Sequence, residues 1–170
     1  MNQAPNEDAT PRAWRTLGWT SLAVFMALLD ATILFVAFPS IRRSFPDVSA
    51  ADLSWILNAY TIVYAALLVP AGRIADRVGR RLLFLSGVAV FTIGSLACGF
   101  APRVGLIVAG RVLQGVGGAM LTPSSLALVL ASFPRSKRSV AVSLWAAVGA
   151  LAAAVGPSIG SAIIQFGGWR

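Results

Sequence analysis

Five long apolar runs, at about residues 17–41, 53–71, 82–102, 104–132 and 140–164, constrain this chain more than any other feature. At a helical rise of about 1.5 Å per residue, each run can cross a hydrocarbon core of about 30 Å. Inside lipid every backbone amide must find its partner within its own segment, so the runs read as transmembrane helices. The expected fold class is therefore all-α, a polytopic helical membrane protein with five spans over 17–164. Composition agrees, because only 12% of residues are charged, against about 25% in soluble domains. The polar start, MNQAPNEDATPRAWRT, reads as a tail over 1–16, and residues 165–170 as a short outer segment.

Arg12 and Arg15 ahead of the first run resemble the start of a secretory signal. The run is too long for one, and no small-residue cleavage site precedes Asp30, so it reads as a retained helix. A net charge of +8 would, in a soluble protein, point to nucleic acid. The positions of the charges argue otherwise. With the N-terminus inside, the inner segments carry nine basic residues: Arg12, Arg15, Arg73, Arg77, Arg80, Arg81, Arg135, Lys137 and Arg138. The outer segments carry four, Arg42, Arg43, Arg103 and Arg170, and Arg111 lies within a span. Such asymmetry orients a multi-pass protein of the cell membrane with its N-terminus in the cytoplasm, and the excess charge faces anionic headgroups. The lipid bilayer is thus the expected partner, and nucleic acid is not. Trp14, Trp19, Trp55 and Trp169 near the run ends suit interfacial anchors.

Cys98 is the single cysteine and the chain has no histidine, so neither an internal disulfide nor a zinc site is expected, and Cys98 reads as a small packing residue. No pair of titratable groups is placed for acid–base work, and an enzyme is not expected.

Between the second and third runs stands GRIADRVGRR, residues 72–81. Topology explains the sign of Arg73, Arg77, Arg80 and Arg81 in a short inner turn, but not Asp76 or the glycine spacing. Gly72 and Gly79 permit close approach and tight turning. Asp76 can cap a helix start or pair with a neighbouring arginine.

This stretch resembles the signature of the major facilitator superfamily, in outline G-x-L-x-D-R-x-G-R-R. Three further stretches extend the resemblance over nearly all of residues 17–170 and point to the fourteen-helix drug/proton antiporter branch: LDATILFVAFP (29–39), RVLQGVGGA (111–119) and GALAAAVGPSIGS (149–161). The last is similar to the fifth-helix antiporter motif. Phe35 stands where that branch has Asn, which opens the question of substrate range, and Ser161 replaces a second glycine with another small residue. The resemblance implies an N-terminal portion of a transporter, and a gate latch in which Asp76 meets a helix of the second half. It also implies proton-coupled export of small amphipathic or cationic compounds, with the proton gradient as energy source and no cofactor.

Three groups of residues carry those expectations. Asp30 lies near the middle of its span, where a charge costs about 2.5–3.5 kcal/mol by insertion scales and must face protein or water. It is either a structural carboxyl or one that loads and releases a proton. Arg111, about 10 Å deep at helical rise, either snorkels outward or faces the cavity and senses that proton. Arg111, Gly115, Gly118 and Thr122 share a helix face, with Gln114 beside it. In the fifth span Gly149, Ala153, Gly156 and Gly160 share a face suited to close helix contact, and Pro157 removes a backbone donor. Ser54, Asn58 and Thr61 form a polar edge on the second span, either pore-lining or bonding between helices.

Spans one and four each hold a lone ionisable residue, and spans two and five each a proline, Pro70 and Pro157, as inverted three-helix units would. Five spans make one such unit and two thirds of the next. Further C-terminal helices or another copy are expected partners alongside a small-molecule substrate, and the 170-residue chain alone is not expected to transport. Two alternatives remain: a nutrient symporter of the same superfamily, which does not predict the fifth-span motif, and a truncated product without transport activity.

Overall fold

The computed structural model describes residues 9–169. Five helices, each long and apolar enough to cross a membrane, run α1 (Pro11–Ser44), α2 (Ala50–Val78), α3 (Arg80–Gly99), α4 (Val104–Ser132) and α5 (Arg138–Gly167), with a short 3-10 turn at Arg135–Lys137 before α5. Among the described residues the fold is all-α.

α1, α2 and α5 extend past their apolar runs at both ends, α4 coincides with its run, and α3 ends at Gly99, three residues short of its run, because local signals and not hydropathy set the ends. Residues 11–16, expected as tail, are the first turns of α1: Thr10 caps the helix by accepting from the Ala13 amide at 3.3 Å, and Pro11 suits the first turn, where no donor is needed. Residues 1–8 lie outside the described residues, as does Arg170. Ser49 caps α2 in the same way, accepting from the Asp52 amide at 3.1 Å.

The expected ten-residue turn at 72–81 is largely helix. Residues 72–78 complete α2, Arg80 and Arg81 open α3, and Gly79 alone reverses the chain, with φ of 100°. Only a residue without a Cβ takes that conformation readily, so the glycine permits a one-residue connection.

α4 is the floor of the bundle. Half of its most apolar stretch is buried (50%), against 22–28% in the other four helices. α2 and α3 pack along it, α1 crosses it, and α5 packs chiefly on α1. Between membrane helices the hydrophobic effect gives little drive, so the seams rely on close packing at small residues. Gly87 and Gly94 of α3 face Gly110 and Gly117 of α4 in this way. A Cβ at Gly117 would lie 2.6 Å from the Phe91 amide nitrogen, and one at Gly94 would lie 2.8 Å from that of Gln114.

Candidate functional site

Arg111 is 3% exposed, and α4 presents it to α1 and α2. Its Nη1 donates to Asp30 Oδ2 at 2.6 Å and to Gln114 Oε1 at 2.7 Å, and its Nε donates to the Ile56 carbonyl at 3.2 Å. The guanidinium carbon stands 4.4 Å from the centre of the Tyr60 ring, a cation–π contact worth about 2 kcal/mol when desolvated. Gln114, one turn on, donates from Nε2 to Asp30 Oδ1 at 2.8 Å and to Ser95 Oγ at 2.8 Å. Both oxygens of the carboxylate are thus engaged, one by each residue of α4. Arg111 does not snorkel outward; it turns into the bundle.

Asp30 is the less enclosed partner, with 29% of its side chain exposed against 4% for Arg111. α1 and α3 stand apart on α4, and the carboxylate opens into the groove between them. Two cavities meet at Asp30, Ile33 and Ser95. One, about 190 Å³, continues past Ala37 and Ile41 to Trp169. The other, about 340 Å³, continues past Met26, Val88 and Phe91 in the opposite direction. Trp169, which lines the first, donates to Ser44 Oγ at 2.9 Å and packs on Phe45. The carboxylate thus faces open space on one side and its buried guanidinium partner on the other.

The 72–81 stretch lies at the opposite end from Trp169. Arg80 Nη2 contacts Asp76 Oδ1 at 3.4 Å, with side chains 44% and 68% exposed, and Arg80 Nη1 reaches the Ala127 carbonyl at 3.4 Å. Asp76 therefore pairs with an arginine; α3 has no side-chain cap. Arg73, Arg77 and Arg81 are exposed, and Gly72 faces Pro123, whose Cβ would lie 3.9 Å from an added Cβ.

Gly149, Gly156 and Gly160 of α5 are buried against α1, the helix of Asp30. A Cβ at Gly156 would overlap Thr32 Oγ1, and one at Gly160 would lie 3.3 Å from the Ile33 Cα. Ala152, not Ala153, completes this buried stripe, and Ala153 is exposed. α5 continues through Pro157, which is exposed, and Ser161 Oγ donates to the Pro157 carbonyl at 2.8 Å. The glycine stripe and the Asp30 cluster thus share α1. Along α2, Ser54 and Thr61 return their hydroxyls to their own helix, and Asn58 and Thr61 are exposed.

Sequence reasoning missed Ser95, Tyr60 and the Ile56 carbonyl. For Tyr60 a signal existed: the chain has two tyrosines, Tyr60 and Tyr64, one helical turn apart in one span. Cys98, half-buried, lies 3.7 Å from Gln114 Oε1 at the edge of the cluster, and its Sγ fills the space that a Cβ at Gly110 would need.

A membrane bundle whose mid-depth charges are paired inside is the form expected of a transporter half. The chain belongs to the Major Facilitator Superfamily, whose family model matches residues 20–170. It is 40% identical to the Multidrug resistance protein Stp of Mycobacterium tuberculosis, over 91% of this chain and 29% of that protein. To the Tetracenomycin C resistance and export protein of Streptomyces glaucescens it is 41% identical, over 94% of this chain and 29% of the relative. To the Multidrug efflux pump LfrA of Mycolicibacterium smegmatis it is 40% identical, over 97% and 33%. The chain spans about a third or less of the length of these curated relatives.

Proposed function

We propose that this chain forms part of the N-terminal half of a proton-coupled exporter of small amphipathic or cationic compounds, with its basic end in the cytoplasm. The observation that carries the reading is the Asp30–Arg111 pair: a mid-span carboxylate held by a buried guanidinium yet open to two cavities. A proton arriving at Asp30 removes the charge that pairs with Arg111, and a substrate cation competes for the same oxygens. Proton and substrate then cannot both hold the carboxylate, which is the condition for exchange. The export and efflux named for the relatives support the direction of transport. The glycine stripe of α5, packed on Thr32 and Ile33 of α1, favours an antiporter over a symporter, because it matches the antiporter-type motif at 149–161.

Asp76 at the basic end would act as the latch against a helix of the second half, with Gly79 fixing the approach of α2 and α3, and the exposure of Asp76 leaves it free for such a partner.

The test uses the longest natural form of the protein in sealed vesicles with an imposed proton gradient. Asp30→Asn is expected to abolish gradient-driven dye efflux while the protein stays inserted; efflux at the wild-type rate would make Asp30 structural. For orientation, a cysteine in 72–81 should be labelled only from inside and one near Asp47 only from outside. The reverse pattern would reject the orientation and the latch with it.

A further inference from the structure

We propose that Tyr60 is the positioning residue of this site, holding the Arg111 guanidinium at the depth of Asp30 when the carboxylate no longer balances its charge. The inference rests on the exchange reading of Asp30 given above. In any such cycle Asp30 spends part of the time neutralised, by a proton or by a substrate cation. Arg111, with 4% of its side chain exposed, would then be a dehydrated cation without a counter-charge. A long arginine in that position swings toward water unless something else favours its place.

α2 supplies what is needed. Ile56 and Tyr60 stand one turn apart, so the Ile56 carbonyl accepts from Nε while the Tyr60 ring offers its negative face to the guanidinium carbon, 4.4 Å from the ring centre. Neither contact depends on the charge of Asp30. The quadrupole of the ring attracts a cation in either state of the carboxylate. Gln114 Oε1 adds a neutral acceptor but is itself tied to Asp30 through Nε2, so it follows the carboxylate.

The ring is in turn held fixed. Tyr64 stacks on Tyr60 with centres 5.8 Å apart and planes inclined by 12°. Its hydroxyl donates to Thr122 Oγ1 at 3.1 Å, and Thr122 donates to the Gly118 carbonyl at 3.0 Å. Gly115 and Gly118 make room for this brace. A Cβ at Gly115 would lie 2.9 Å from the Tyr60 carbonyl oxygen, and one at Gly118 would lie 3.2 Å from the Tyr60 hydroxyl. The two glycines thus admit the aromatic pair that steadies the arginine one turn away on the same helix.

The experiment grades the ring face without changing its shape. In the longest natural form of the protein, reconstituted with a proton gradient and ethidium as probe, position 60 is replaced by Phe and then by phenylalanines bearing one, two and three fluorines. Tyr60→Phe keeps the face and should retain most of the gradient-driven efflux. The fluorinated series should fall in step with the weakening ring charge, and Tyr60→Leu should lose about tenfold or more, as for a desolvated cation–π contact. A merely structural ring gives a flat fluorine series, and that result, or Tyr60→Leu at the wild-type rate, overturns the proposal. Because the fluorinated rings are nearly isosteric, a misfolded Leu variant would not decide the matter. Asp30→Asn in the same vesicles separates the two claims. If it still couples, the exchange reading fails; if it is dead while the fluorine series is flat, only the role of Tyr60 fails.

Discussion

Among the described residues stand two aspartate–arginine pairs of the same chemistry in opposite settings. Asp30 and Arg111 meet at 2.6 Å across 81 residues of sequence, with Gln114, Ser95, Tyr60 and the Ile56 carbonyl completing the shell. Asp76 and Arg80 meet at 3.4 Å across the Gly79 reversal, four residues apart, both more than 40% exposed. The first pair cannot separate without leaving a charge in a dry place. The second exchanges freely with water and headgroups, and contributes little to holding the bundle. Charge identity therefore says little about role; depth and the number of further partners decide it. The buried pair with its shell draws on four helices, whereas the exposed pair joins only the two ends beside Gly79.

The contrast can be broken by substitution. Removing the buried cation should cost most: Arg111→Leu leaves Asp30 Oδ2 and Gln114 Oε1 without their donor and the carboxylate without its counter-charge, and should destabilise the bundle by about 3 kcal/mol or more, read by unfolding in detergent. Equal loss from Arg80→Leu would erase the distinction. Asp30→Asn keeps an acceptor for Arg111 but removes its counter-charge, so its cost in stability should lie nearer that of Arg111→Leu than that of Asp76→Asn. Next, Gly117→Val forces α4 from the Phe91 backbone and should cost about 1–3 kcal/mol, as overpacking does. Gly72→Val, with nothing nearer than 3.9 Å to its first added atom, should cost less. Smallest of all, Asp76→Asn should change stability by under about 0.5 kcal/mol, and added salt should remove even that. A salt-sensitive Asp30 pair would instead place it in open water.

The fold was legible because lipid leaves so few choices. Five apolar runs gave five helices, and the fourth run, 104–132, matches α4 at both ends. At the starts of α1 and α2 hydropathy stopped short of the helix, since Thr10, Pro11 and Ser49 act through capping and not through polarity, while at the end of α3 it ran three residues past Gly99. Asp30 and Arg111 stood out as lone charges in apolar runs, and Gln114 by its spacing from Arg111. Tyr60 and Ser95 did not, because a tyrosine or serine in a membrane helix costs too little to demand explanation. Their roles depend on how α2 and α3 are rotated about α4, which the glycine seams fix and which no single run encodes. Gly79 was read as part of a turn; that it is the whole turn depends on its φ of 100°.

The position of α4 as common floor has a consequence for synthesis. α1, α2 and α3 hardly touch one another and are made before the helix that unites them. Asp30 leaves the ribosome 81 residues ahead of Arg111. At about 5–20 residues per second, that is a delay of roughly 4–16 s in which a carboxyl destined for mid-membrane has no guanidinium to meet. During that interval the first three helices lack the surface on which they pack, and the bundle consolidates only when α4 arrives.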